Sequence, residues 1–179
     1  MPSPPEPISP EHDVQGFSCG KPALDHWLQA RALSNHQKGF TAVMVVHDQN
    51  RVVAYYGLAP TAVVPASLPR AIRPGQPPDP VPCLLLGQLA TDTRWKGQGL
   101  GTGLLKHAFQ RCVAAADLVG GRALLVKAID AEAAAYWVRR GFLPSRDDPF
   151  ILFRSIADIA ASLQASEVSV RSKPQSGEG

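Results

Sequence analysis

Four glycines fall at alternate positions within seven residues, Gly97, Gly99, Gly101 and Gly103, and they separate an apolar run from a long periodic one. Upstream, Pro82–Thr91 holds Cys83-Leu84-Leu85-Leu86 and reads as a buried strand. Downstream, Leu100, Leu104, Leu105, Ala108, Phe109, Cys112, Val113 and Ala116 recur every three or four residues, the period of an amphipathic helix. Gly120-Gly121 ends that helix, and Arg122–Ile129 is a second buried strand. Strand, glycine turn, helix and strand make a βαβ unit. This unit is the strongest constraint on the chain.

The flanking segments extend the sheet. Lys21–Lys38 reads as a helix, with Pro22 in its first turn, Asp25 near the N-terminal dipole and Gly39 at its end. Thr41–His47 and Arg51–Leu58, joined at Asp48-Gln49-Asn50, form a hairpin. Ala131–Arg140 is a short helix closed by Gly141, Phe150–Phe153 a last strand, and Ser155–Leu163 a closing helix. The order predicts one α/β (α+β) domain built on a single mixed sheet.

A length of 179 residues suits one such domain. Five of the 17 prolines lie in residues 2–10 and eight in 60–82. The first cluster predicts a flexible arm over 1–10, and the second a long irregular loop inside a domain spanning 11–164. The stretch 165–179, rich in Ser, Gly, Lys and Glu, predicts a disordered tail. No apolar run approaches ~20 residues and the start has no signal-peptide core, so a cytoplasmic protein without a membrane segment is expected. Three scattered cysteines, Cys19, Cys83 and Cys112, argue against a disulfide scaffold and a cysteine zinc site. His12, His26, His36, His47 and His107 show no ligand spacing, so no metal is expected.

The glycine turn carries the chemistry. A dinucleotide fingerprint needs glycine where Thr102 or Leu104 stands. A Walker loop needs Gly-Lys-Ser/Thr, and the only Gly-Lys pair, Gly20-Lys21, precedes proline. What remains is either a tight strand-to-helix connection or a turn whose backbone approaches a bulky anion at a helix N-terminus, with Arg94 and Lys96 adding positive charge. Leu89, Ala90 and Thr91 lie just upstream, where a strand can run beside an extended ligand. Together with the resemblance of this turn set out next, the binding residues expected are Leu89, Ala90, Thr91, Arg94, Trp95, Lys96, Gly97, Gln98, Gly99, Leu100, Gly101 and Thr102.

Arg94-x-x-Gly97-x-Gly99 resembles the acetyl-coenzyme A (acetyl-CoA) loop of the GNAT N-acetyltransferases, [QR]-x-x-G-x-[GA]. Three further stretches are similar to one subgroup, the TacT-type toxins of bacterial toxin–antitoxin modules. They are Phe17-Ser18-Cys19-Gly20 with Leu24-Asp25-x-Trp27-Leu28, then Val81-Pro82-Cys83-Leu84-Leu85-Leu86-Gly87-Gln88-Leu89-Ala90, and Leu125-Val126-x-Ala128-x-Asp130. The likeness covers about residues 8–163. It implies a GNAT fold, a mostly antiparallel mixed sheet flanked by helices. It also implies acetyl-CoA as co-substrate and transfer of acetyl to the α-amino group of aminoacyl-tRNA, which blocks translation. The partners implied are a ribbon-helix-helix antitoxin and a second copy in a homodimer. A GNAT acting on a protein or small-molecule amine, or one that binds acetyl-CoA with weakened turnover, stays open.

One departure bears on catalysis. The family usually carries tyrosine four residues before the glycine of its Gly-Phe pair, a phenol placed to protonate the leaving thiolate. Here that position is Trp137, which has no proton to give at neutral pH. Tyr136 stands one step earlier, ~100° around a helix. Two geometries compete: Tyr136 turned into the core, or Tyr136 brought to the sulfur by a shift of the helix. The offset favours the first. No general base is evident, since Asp92 and Glu132 read as cap or surface carboxylates. An α-amino group with a pKa near ~8 is partly neutral without one. Nine basic residues between Arg94 and Arg146 face three acidic ones, Asp117, Asp130 and Glu132. Such a surface suits RNA phosphates.

Overall fold

The computed structural model describes residues 1–172. Strand β1 (Glu6–Pro7) is followed by helix α1 (Pro22–Trp27), a π-helical turn (Leu28–Ala32) and α2 (Leu33–Gln37). The hairpin strands are β2 (Ala42–Asp48) and β3 (Arg51–Val63). Then come β4 (Val81–Thr91), α3 (Leu100–Val119), β5 (Ala123–Lys127), α4 (Ala131–Arg139), β6 (Leu143–Pro144), β7 (Ile151–Ser155) and α5 (Ile156–Arg171). The sheet order is β1-β2-β3-β4-β5-β7-β6. Every pairing is antiparallel except β4 with β5. The sequence expectation of a mixed, mostly antiparallel sheet holds, and its one parallel step is the βαβ unit.

Period-2 alternation sends neighbouring side chains to opposite faces. Tyr55 and Tyr56, adjacent and both fully buried, enter different clusters. Tyr56 joins Leu104, Leu105, Ala108, Phe109 and Cys112 of α3 on one face. Tyr55 joins Phe17, Leu28 and Ala32 under α1 and the π-turn on the other, its hydroxyl donating to the Leu24 carbonyl at 2.6 Å. A third cluster explains the proline-rich segment between β3 and β4. Its Leu68 and Ile72 are buried against Val81, Cys83, Ala123, Leu125 and Phe153, covering this part of the sheet with loop side chains. The irregular part is shorter than expected, because β3 continues to Val63 and β4 begins at Val81.

Two terminal expectations are corrected. The arm over 1–10 is docked: Glu6 and Pro7 pair with Val45 and Met44, and Ile8 is 4% exposed. Its anchor is a clasp. Ser9 N–H donates to His12 Nδ1 at 2.9 Å and Asn50 N–H to His47 Nδ1 at 3.1 Å. A neutral ring accepting at Nδ1 carries its proton on Nε2. Both Nε2 atoms converge on Glu6 Oε1, at 2.8 and 2.9 Å. A metal held at Nε2 would need the opposite tautomer, so the geometry is that of a hydrogen-bonded clasp and not a ligand set. At the other end, α5 runs on to Arg171, so the tail expected from Ala165 is helical through that residue. Residues 173–179 lie outside the described residues. Among the described residues no helix is long and apolar enough to cross a membrane.

Candidate active site

The site begins with a register shift. Gly57 pairs with Gln88 and Leu58 with Leu86, which leaves Gly87 as an extra residue in β4. A bulge bends its strand. Before it, Leu84–Leu86 pair with Leu124–Val126 of β5. After it, β4 continues to Thr91, and among the described residues it has no strand partner there on its β5 side. The two parallel strands therefore splay, and a cavity of about 560 Å³ opens between them. That size falls within the range of small-molecule sites. Backbone amides and carbonyls of Gly87–Thr91 along the opening suit an extended, amide-bearing chain.

The glycine turn closes one end. Gly97 and Gly99 both adopt left-handed backbone, φ +80° and +79°, and a Cβ on either would meet no atom within 4 Å. Gly99 is the N-cap of α3 and offers no side chain to its first amides. Those N–H groups and the helix dipole are left for an anion. The donor set fits a pyrophosphate-bearing ligand with a long amide arm, the chemistry of acetyl-CoA. Of the binding residues expected from the sequence, Leu89, Ala90, Thr91, Trp95, Lys96, Gly97, Gly99, Leu100, Gly101 and Thr102 line the cavity.

Arg94 and Gln98 do not, and the reason for Arg94 lies in Asp92. Asp92 has no solvent exposure, and a buried carboxylate requires partners. It accepts from the Arg94 N–H at 2.9 Å, from Arg94 Nε at 3.0 Å and Nη2 at 2.8 Å, and from the Ser18 N–H at 3.1 Å. These bonds, the Arg94 side chain's foremost, hold the carboxyl down at about 2. The guanidinium also donates to the Gly16 carbonyl. Arg94 thus anchors the glycine turn to the segment before α1. The same geometry removes Asp92 from consideration as a base; of its reading as a cap or surface carboxylate the cap holds, and it is buried. Gln98 is an exposed turn residue.

The opposite lip was not foreseen. Cys19, Lys21 and Leu24, ahead of and within α1, line the cavity, and Lys96 Nζ donates to the Cys19 carbonyl at 2.9 Å. The Phe17-to-Leu28 motif was their only sequence signal. Burial, reinforced by Asp25, pushes the Cys19 thiol up to about 11, so it stays protonated. Across the mouth, Lys21 Nζ donates to Asp130 Oδ2 at 2.8 Å and lies 3.6 Å from Glu132. Asp130 also caps α4 by accepting from the Ala133 N–H. The Lys21 bond lowers the Asp130 carboxyl and raises the Lys21 ammonium. Glu132 is exposed at the rim.

On α4, Tyr136 and Trp137 both reach the cavity wall. The Trp137 ring is 7% exposed and packs on Phe142, centroids 5.0 Å apart. Tyr136 is half-buried, set edge-on to Trp137. Trp137 is the more buried of the two rings, while Tyr136 packs against the same core cluster from its edge and also lines the cavity. Arg140 lies over the Tyr136 ring, its Cζ 3.4 Å from the centroid. Burial raises the Tyr136 phenol, and Arg140 opposes that shift.

Residues 9–142 match the model of the acetyltransferase (GNAT) family. The chain belongs to this family. It is 44% identical over 159 residues to the tRNA-acetylating toxin of Mycobacterium tuberculosis, covering 89% of this chain and 95% of that one. A probable toxin TacT of Sinorhizobium fredii is 28% identical over 167 residues, 86% of this chain and 91% of its own. Among solved structures, AtaT complexed with acetyl-methionyl-tRNA superposes with a TM-score of 0.81 at 25% identity, covering 90% and 99% of the two chains. A tyrosine-to-phenylalanine variant of KacT gives 0.81 at 27% identity, covering 89% and 98%. The resemblance read from the glycine turn and its companion motifs is borne out, and the GNAT fold with it.

Proposed function

We propose that this protein is an acetyl-CoA-dependent N-acetyltransferase of the toxin type, which acetylates the α-amino group of aminoacyl-tRNA and so blocks translation. The observation that carries the reading is the cavity itself: a splayed β4–β5 pair joined to an uncapped helix N-terminus through Gly97 and Gly99. Its relationship to a tRNA-acetylating toxin over 89% of the chain supplies the substrate class.

The chain's own residues suit the roles. The α3 amides and Lys96 hold the pyrophosphate, and the free edge of Gly87–Thr91 aligns the pantetheine arm. The acyl end then points between Lys21 and Tyr136. The acceptor amine, partly neutral near pH 7, attacks without a dedicated base. Lys127, Arg139 and Arg140 ring the mouth with positive charge suited to the phosphates of a tRNA acceptor end. A ribbon-helix-helix antitoxin, a homodimer and a cytoplasmic setting complete the proposal.

The test is mass spectrometry of charged tRNA incubated with the protein and isotope-labelled acetyl-CoA. Label on the α-amino group of the esterified amino acid is expected. Label found only on proteins or small amines, with charged tRNA unmodified, rejects the reading.

A further inference from the structure

We infer that Arg140 is a positioning residue for the leaving thiol: clamped over the Tyr136 ring, it orients that phenol as the proton donor that Trp137 removes from the family's usual place. The inference rests on the acetyl-transfer reading above.

Three observations converge. First, Arg140 is itself fixed. It caps the C-terminus of α4, and its Nη1 donates to the Tyr136 carbonyl at 3.0 Å. A guanidinium at a helix C-terminus is favoured by the dipole, and its planar fork stacks on aromatic faces as lysine does not. Second, the phenol is confined between two neighbours. Arg140 stands 3.4 Å from the ring centroid, and the Trp137 ring meets Tyr136 edge-on at 5.0 Å and 88°. Trp137 is in turn locked against Phe142. Third, the chain has three tyrosines, and two of their hydroxyls are engaged. Tyr55 donates to the Leu24 carbonyl, and Tyr56 lies 2.8 Å from His107 Nδ1 and accepts from Arg111. Among the described residues the Tyr136 hydroxyl has no such partner, and Tyr136 is the tyrosine that lines the cavity.

The step balances without another reactant. The amine nitrogen forms its bond to the acetyl carbonyl carbon, the C–S bond breaks, and its electron pair goes to sulfur. The thiolate takes the Tyr136 proton. The resulting phenolate lies against the Arg140 guanidinium until it regains a proton from water, to which the amine nitrogen has released its own. The other charged groups around the cavity are Lys21 ahead of α1, Lys96 in the glycine turn, Lys127 at the end of β5, and Glu132 and Arg139 on α4. Only Arg140 stacks on the phenol.

The test combines kinetics with titration. Acetyl transfer to aminoacyl-tRNA is measured across pH for the wild type, Tyr136→Phe, Arg140→Met and Arg140→Lys. Tyr136→Phe is expected to lower kcat about 10²-fold. Arg140→Met is expected to lower kcat roughly tenfold, with a smaller change in KM for acetyl-CoA. It is also expected to move the alkaline limb of the profile to higher pH, because the phenol loses the cation that eases its ionisation. Arg140→Lys restores part of the rate.

In parallel, ring-labelled tyrosine is titrated by NMR, with Tyr136 assigned from Tyr136→Phe. Arg140→Met is expected to raise the pH at which that signal ionises. An unmoved Tyr136 titration overturns the inference whether or not acetylated tRNA is detected. So does a rate loss in Arg140→Met with an unmoved limb and no rescue by lysine. A wild type that acetylates no charged tRNA defeats the proposed function alone, since the titration still decides the role of Arg140.

Discussion

Replacing Gly99 by aspartate separates binding from folding at the glycine turn. Gly99 sits at φ +79° and caps α3, and a Cβ built there meets no atom within 4 Å. The folded protein therefore has room for the side chain. What it loses is the left-handed backbone preference, about 1–2 kcal/mol for a residue with a Cβ. A carboxylate at a helix N-terminus returns roughly 0.3–1 kcal/mol. The net loss is ~1 kcal/mol, or a melting temperature lower by about 2–4 °C for a domain of this size. The ligand sees a different change. The new carboxylate occupies the place of the pyrophosphate, and two like charges ~5 Å apart at an effective dielectric of ~20 repel by about 3 kcal/mol. That alone weakens affinity ~100-fold, and the side chain also blocks the approach to the α3 amides. Titration calorimetry with acetyl-CoA, beside a melting curve, reads both quantities. Gly99→Ala keeps the backbone cost without the charge and is expected to bind more tightly than the aspartate. A folded Gly99→Asp protein with wild-type affinity refutes the assignment of this turn to the pyrophosphate.

Asp92→Asn tests the anchor beneath the turn. The Asp92 carboxyl titrates at about 2, below the ordinary 3.8, so its stabilisation is full above ~4 and is lost as pH falls through about 2. The wild type is expected to lose up to about 2 kcal/mol over that window, reduced by screening of the mostly exposed Arg94 side chain. Asparagine is expected to remove that slope and to lower stability at pH 7. Identical acid unfolding profiles for the two proteins contradict this. Reversing Arg139 and Arg140 to glutamate is expected to weaken tRNA binding and antitoxin capture together, and to flatten the salt dependence of tRNA binding by up to about 2 in log–log slope. Retention of both activities at physiological salt rejects a shared basic surface.

Much of the architecture was legible because its signals are local. Four alternating glycines, a 3.6-residue period from Leu100 to Ala116 and two apolar runs suffice for the βαβ unit. The order of the other elements follows from turns and periods. Strand β6 escaped because Leu143–Pro144 is too short to show a period. The arm read as flexible because proline clusters predict extended chain. Whether extended chain docks depends on what it meets, here the free edge of β2 and the imidazoles of His12 and His47.

For the site, ten of the twelve binding residues expected from the glycine turn line the cavity, since backbone approach to an anion is encoded by glycine itself. Arg94 could not be placed from sequence. A cation beside a phosphate loop and a cation beside a buried carboxylate look alike until Asp92 is seen to be inaccessible. The Lys21–Asp130 pair joins residues 109 positions apart, and no spacing rule spans that distance. Tyr136 and Trp137 are the sharpest case. Their identities were plain, but which ring was the more buried depended on Phe142 packing against one and Arg140 lying over the other. Sequence by itself determined the fold, the glycine turn at the start of α3 and the absence of tyrosine at position 137, because these depend on residue type and short-range period. Tertiary structure alone decided where charge and phenol point, because burial and partners assembled from distant segments set the direction of a side chain.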